Sequence, residues 1–211
     1  MKLAIILCTR GLLFSEVLKG IERNRKNYDI KIYISSNLPI PKAQNYLVEE
    51  ALKNKEIDYL WFIEEDVIPP DGALDTFLRL NNDIAFIDYG VNGWSCCAKN
   101  KETKEILWAG LGCTFIKRHI FEKLEKPWFR IDKSLRLNDW QWIDTPMKYG
   151  GHDIWFYTKA REKGFSIVQA PGECNHLCLV ALGEKEKNNG LHLYMSKPKI
   201  SKKQIIERGG V

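Results

Sequence analysis

The sequence predicts an α/β protein built on a mostly parallel central sheet of about six strands flanked by helices. Three observations predict it. Short apolar runs bounded by polar residues recur along the first half of the chain, stretches of helical period separate them, and 45% hydrophobic residues over 211 positions can supply one sizeable core. Residues 3 to 8 (Leu-Ala-Ile-Ile-Leu-Cys) suit a strand buried on both faces. Phe14, Val17, Leu18 and Ile21 follow at helical spacing, and residues 30 to 34 then alternate with period two, so the opening reads strand, helix, strand. Pro41 opens a second helix with Ala43, Leu47, Val48, Ala51 and Leu52 on one side, and residues 59 to 63 are a third buried strand. Pro69-Pro70-Asp71 starts a helix carrying Leu74, Phe77 and Leu78, before a fourth strand at 84 to 88. Strands alternating with helices run parallel, because each crossover returns the chain to the same end of the sheet.

The second half is less regular. Residues 113 to 116 are strand-like, and a short helix surrounds Ile120, Phe121 and Leu124. Residues 126 to 151 hold Trp128, Trp140 and Trp142 with no clear period, which reads as a functional loop. A last helix spans about 153 to 163 with Gly164 as its C-cap, followed by a strand at 166 to 170 and a loop through His176. From Gly183 the chain turns polar, with Lys197, Lys199, Lys202 and Lys203 expected in a solvated tail or linker. One domain over residues 1 to 211 is expected, divided into halves at about residue 90 with the tail from 183, and the ending through Gly209-Gly210 is expected to lead into further sequence.

Composition excludes several classes. A mean hydropathy of −0.32 belongs to a soluble globular chain rather than a disordered one. Lys plus Arg (32) against Asp plus Glu (27) leaves +5, enough to suit an anionic ligand but short of a dedicated nucleic-acid binder. No apolar stretch approaches the roughly 20 residues of a spanning helix, and the opening MKLAIILC is too short for a signal peptide, so no transmembrane segment is expected. Six scattered cysteines, at 8, 96, 97, 113, 174 and 178, read as reduced thiols in a cytoplasmic compartment.

Ligands of an open parallel sheet bind outside the carboxyl ends of its strands. Those ends read Cys8-Thr9-Arg10, Ser35-Ser36-Asn37 and Glu64-Glu65-Asp66. Adjacent carboxylates repel unless something positive is shared between them, and a divalent cation is the economical candidate. In an extended turn Glu64 and Asp66 point the same way and Glu65 elsewhere. An acidic turn in solvent, capping the helix near Pro70, is the competing reading. The chain has no phosphate-binding P-loop, and Gly110-Leu111-Gly112 lacks the third glycine of a dinucleotide fingerprint and leads into a strand.

The run KLAIILCTRG at the start, AQN at 43 to 45, YLWFIEEDVIPP at 59 to 70, GLGCTFIKRHIFEKL at 110 to 124 and GGHDIWF at 150 to 156, with His176, resembles in order and spacing the GT-A-fold glycosyltransferases of the family-2-like type. The resemblance covers nearly the whole chain. In size and in lysine and isoleucine content the chain also resembles the glycosyltransferase domain that chlorella viruses use on their capsid glycans.

The resemblance implies a Rossmann-like nucleotide half over about 1 to 90 and an acceptor half over about 91 to 182. It implies inverting transfer of a sugar from a UDP-sugar donor to a hydroxyl of a glycan or glycoprotein, assisted by Mn²⁺ or Mg²⁺. Glu64-Glu65-Asp66 stands where the family carries its DxD motif, so Asp66 would ligate the metal and Glu64 and Glu65 would lie against the nucleotide. Thr9 and Arg10 match the nucleotide-binding turn, Ser35 and Ser36 stand where the base is read, and Asn45 matches a helix position lining the nucleotide pocket. Asp153 matches the catalytic base, with His152 where the family has glutamate, and His176 matches the histidine that completes the metal shell. Gly110 and Gly112 would let the backbone approach the donor sugar. Trp94, with Trp140 or Trp142, offers aromatic faces for sugar rings. For Asp153 an N-cap is the competing role, since it opens a helix. Cys174, His176 and Cys178 fit no common zinc module. Two other functions remain in play: a non-catalytic nucleotide-sugar or glycan-binding module, and a sugar nucleotidyltransferase, which lacks its glycine-rich turn here.

Overall fold

The computed structural model describes residues 1–25, 28–36, 38–91, 94–136, 141–143, 151–181 and 191–196. The first half comprises β1 (Lys2–Thr9), α1 (Ser15–Arg25), β2 (Asp29–Ser36), α2 (Ile40–Lys53), β3 (Ile57–Glu64), β4 (Val67–Ile68), α3 (Ala73–Leu80) and β5 (Ile84–Val91). The second comprises β6 (Trp94–Ser95), β7 (Ala98–Lys99), β8 (Ile106–Trp108), β9 (Cys113–Lys117), α4 (Arg118–Lys123), β10 (Ser134–Arg136), β11 (Gln141–Ile143), α5 (His152–Glu162), β12 (Ile167–Ala181) and β13 (Leu191–Ser196). Among the described residues no helix is long and apolar enough to cross a membrane. Cys8, Cys96, Cys97, Cys113 and Cys174 are free thiols.

The main sheet runs β13-β12-β5-β9-β3-β1-β2, with β4 added beside β12 and β6 beside β5. The pairs β1–β2, β1–β3 and β5–β12 are parallel, as the strand and helix alternation predicts. The sheet as a whole is mixed and larger than the predicted six strands: β9 runs antiparallel between β3 and β5, and β13 antiparallel to β12. The physical reason lies in the connection after β5. Among its described residues it carries the strand pairs β5–β6 and β7–β8 and no helix, so no helical crossover returns the chain to the starting end of the sheet before β9.

Alternation along β1 divides the core. Ala4, Ile6 and Cys8 face α2, α4 and α5, where they join Leu47, Val48, Phe121, Phe156 and Tyr157. Leu3, Ile5 and Leu7 face α1 and α3, among Val17, Ile21, Leu74 and Phe77. Both sets are buried, which is why this strand reads as a continuous apolar run.

Two expectations about the carboxyl-terminal region change. The strand at 166 to 170 does not stop at Pro171. Its pairing with β5 shifts between Gln169 and Glu173, around Gly172 at φ +108, and the strand then continues through His176 to Ala181. A Pro-Gly pair that reads as a terminator acts as a bulge. The segment expected as a solvated tail contributes β13, with Ser196 opposite His176. Lys197, Lys199, Lys202, Lys203, Gly209 and Gly210 lie outside the described residues.

The segment expected as a functional loop is partly core. Trp128 and Phe129 are buried against Phe121 and Phe156, and Trp128 Nε1 donates to Phe121 O and Leu124 O at 3.0 and 3.2 Å. Residues Ser134–Arg136 and Gln141–Ile143 pair as a two-stranded ribbon, with Trp142 opposite Leu135; Trp140 lies outside the described residues. Asn45 anchors this segment to α2. Its Nδ2 donates to Pro41 O and Phe129 O at 2.7 and 2.9 Å, while its Oδ1 accepts from Trp128 N and Phe129 N at 3.0 and 3.3 Å. The amide expected to line a nucleotide pocket is thus committed to backbone at both ends. Asn45→Ala should lower unfolding free energy by about 2–3 kcal/mol, because the buried backbone groups it serves gain no replacement. A shift below about 0.5 kcal/mol in urea denaturation would contradict this role.

Candidate active site

Arg10 is the hub of the carboxyl edge. Immediately after β1, its backbone N donates to Glu65 Oε2 at 2.6 Å, its Nε donates to Glu65 Oε1, and its Nη2 donates to Asp66 Oδ2 at 3.1 Å. Glu65 is 5% exposed, so this clamp also neutralises a buried carboxylate. The positive charge that the acidic run was expected to require comes, in part, from the chain itself. Thr9 forms the turn beneath: its hydroxyl donates to Leu12 O at 2.6 Å and accepts from Gly11 N at 2.9 Å. That engagement turns a hydroxyl expected at the nucleotide back onto the local backbone.

Glu65 and Asp66, expected to point apart, share the Arg10 guanidinium, and Glu64 turns to Tyr89. Glu65 turns to Arg10, while Asp66 meets His176, with His176 Nε2 3.5 Å from Asp66 Oδ2. Strand pairing enforces the meeting, because His176 lies opposite Val67 and Leu177 N donates to Asp66 O at 2.7 Å. Burial works against protonation of His176, but the Asp66 hydrogen bond, the charges of Asp66 and Glu64 and the Gly90 carbonyl prevail and raise its pKa above the ordinary histidine value.

Glu64 ends β3, where its backbone N donates to Gly112 O at 3.2 Å. Tyr89 Oη donates to Glu64 Oε2 at 3.1 Å and accepts from Gly112 N at 3.2 Å. A Cβ on Gly110 would stand 2.7 Å from Tyr89 Cζ, and one on Gly112 2.8 Å from the same atom and 2.8 Å from Val67 Cγ2. The family resemblance implies that these two glycines meet the donor sugar, but their open faces are filled by the Tyr89 ring. Tyr89 is the residue that sequence reasoning missed. Its signal was a tyrosine one position past the predicted fourth strand, together with glycines spaced two apart whose missing side chains had to be replaced by something.

Asp153 is the second residue of α5, whose N-cap is Gly151; its Oδ1 accepts from Ile154 N at 2.8 Å, so it is not the helix cap. Burial raises its pKa to about 7, against the opposing backbone hydrogen bonds. Glu64 is also raised to about 7, by burial first and then by the charges of Asp66 and Asp153, with Tyr89 and His176 opposing. Burial holds neighbouring His152 down to about 4, keeping it neutral. Ser35 and Ser36 pair with Cys8 and Thr9 at the carboxyl end of the edge strand β2. Trp94 is 41% exposed on the hairpin beyond β5, which is fastened by Ser95 Oγ donating to Asp88 Oδ2 at 2.6 Å. Among the described residues no three His, Cys, Asp or Glu side chains gather closely enough to hold a metal by themselves. Asp66 and His176 form a two-donor set.

No protein-family model matches this chain, and no curated protein matches it in sequence. Solved structures do. A197 from STIV superposes with a TM-score of 0.61, at 14% identity, over 95% of this chain and 97% of that one. The two chains share a fold. Staphylococcus aureus TarS 1–349 in complex with UDP gives a TM-score of 0.41 at 12% identity, over 58% of this chain and 48% of that one. A glycosyltransferase involved in the glycosylation of the major capsid of PBCV-1 gives 0.36 at 13% identity, over 61% and 69%. At that degree of overlap neither bears on the chemistry of this chain.

The two elevated carboxyl groups have a stability consequence. Glu64 and Asp153 bind protons more tightly folded than unfolded, where carboxyls titrate near about 4. The folded state therefore holds extra protons between about pH 4 and 7, and their stabilisation is lost as pH rises through 7. Glu64→Gln should be more stable than the parent by about 1–3 kcal/mol at pH 8, with the difference shrinking toward pH 5. A pH-independent difference in denaturant midpoints would refute the assignment.

Proposed function

We propose that this chain is a GT-A-type glycosyltransferase that moves a sugar from a UDP-sugar to a hydroxyl of a glycan or glycoprotein, with inversion. The observation that carries the reading is the convergence of Arg10, Asp66 and His176, from widely separated segments, next to Glu64, which the charge of the half-buried Asp153 carboxyl also reaches. Cations together with a carboxyl that can take a proton are what transfer from a nucleoside diphosphate uses: the cations hold the leaving anion and the carboxyl receives the acceptor proton.

In this mechanism Arg10 offers its guanidinium fork to the diphosphate, while Glu65 holds the base of that fork. Thr9, through the turn it closes, and Ser35 and Ser36 form the nucleotide side, with Glu64 toward the ribose. Asp153 accepts the acceptor hydroxyl proton, and a pKa near 7 suits a general base working at neutral pH. His152, neutral, and Trp94 form the acceptor side. The donor set of Asp66 and His176, a hard oxygen and an imidazole nitrogen, fits Mn²⁺ or Mg²⁺ provided the diphosphate fills the remaining positions. When bound, that ion supplies Lewis-acid neutralisation of the leaving diphosphate.

The test is a metal-supplemented panel of UDP-sugars with product UDP as the readout. A binding module without catalysis releases none, and a nucleotidyltransferase instead makes pyrophosphate from UTP. Asp153→Asn should cut turnover about 10²–10⁴-fold while UDP affinity stays within about threefold. The parent rate should rise with pH to a plateau above about 7 as Asp153 loses its proton. Equal turnover in Asp153→Asn would remove Asp153 from the mechanism.

A further inference from the structure

We propose that Arg10 is a built-in counter-ion that competes with a divalent cation for Asp66 and gives way when a diphosphate takes its guanidinium. The inference rests on the metal and nucleotide reading of this site and adds to it the coupling between the two ligands. One oxygen is contested: Asp66 Oδ2 accepts from Arg10 Nη2 at 3.1 Å and lies 3.5 Å from His176 Nε2. A cation held jointly by Asp66 and His176 through this oxygen would share it with the guanidinium, and two positive charges on one oxygen repel.

Arg10 is fixed at one end and loose at the other. Its backbone N and Nε are bound to Glu65, whose side chain is 7% exposed, whereas the Arg10 side chain as a whole is 69% exposed. Among the described residues Nη1 donates to nothing, and Asp66 is the one partner of Nη2. The guanidinium can therefore pivot about its Nε contact, exchanging Asp66 for an external anion without surrendering the buried clamp. A phosphate group accepts two parallel N–H bonds from such a fork, which a lone carboxylate oxygen does not.

Linkage then fixes the behaviour. If diphosphate draws Arg10 away from Asp66, it raises the affinity for the cation, and the cation raises the affinity for diphosphate by the same factor. Metal alone binds poorly because the internal cation already neutralises its ligand. The arrangement keeps the site charge-balanced when empty and makes nucleotide and metal arrive together.

The test is Mn²⁺ titration followed by the paramagnetic resonance signal of free Mn²⁺, at one pH, with and without UDP, after subtracting the Mn²⁺–UDP complex measured without protein. Wild type, Arg10→Ala and Arg10→Ala/Glu65→Gln are compared. The double variant leaves no unpaired buried carboxylate and keeps the test open if Arg10→Ala does not fold. Without UDP, Mn²⁺ should bind at least tenfold more tightly to either variant than to wild type. UDP should tighten Mn²⁺ tenfold or more in wild type and by a factor at least threefold smaller in the variants, where only direct phosphate ligation remains, and adding Asp66→Ala to either variant should abolish the gain. Variants that bind Mn²⁺ no better than wild type overturn the competition; if UDP still tightens Mn²⁺ in wild type, the metal and nucleotide reading survives. Absence of Mn²⁺ binding in every protein, with or without UDP, overturns both.

Discussion

The clamp between Arg10 and Glu65 is the constraint on which the site depends. Glu65 lies 55 positions from Arg10 and is almost fully buried, and its two oxygens take the arginine backbone and side chain together. A carboxylate so placed is tolerated only with a cation and hydrogen bonds that satisfy it. That requirement ties the turn after β1 to the turn after β3. Asp66, next in the chain, is then presented to His176 and to the exposed end of the same guanidinium, so the electrostatic character of the edge follows from satisfying one buried acid.

A second set of constraints works through shape. Tyr89 fills the volume left by Gly110 and Gly112 and spans from the Gly112 amide to Glu64. The antiparallel entry of β9 brings those glycines to the ends of β3 and β5, so the feature that breaks the parallel pattern also supports the acidic edge. Burial of Glu64 and Asp153 without a direct cation raises both toward neutrality, while Glu65 and Asp66 are paired with Arg10 and Asp66 also with His176.

Much of the framework was legible because it rests on local signals. The apolar runs ending at Cys8, Ile63 and Asp88 mark central strands, whose two-sided burial leaves no polar face in the sequence. The acidic run and Arg10 stand out as charged residues at the ends of two of those runs, whereas Asp153 and His176 are singled out only by the family resemblance. Asn45 and Trp128 were misleading for a common reason. An amide or indole that serves distant backbone carries the same letter as one that faces a ligand, and only its neighbours separate the two.

The sequence by itself determined the strand and helix alternation, the edge of the sheet on which chemistry-bearing residues gather, and the demand of adjacent acids for positive charge. These follow from periodicity and from Coulomb repulsion between neighbours, which need no knowledge of long-range contacts. Tertiary structure alone decided the reversal of β9, the continuation of β12 through the bulge at Gly172, the partnership of Tyr89 with the glycines, and the identity of the cation beside the acids. Each depends on which segments lie side by side, a property of the packed core that no local window of sequence contains.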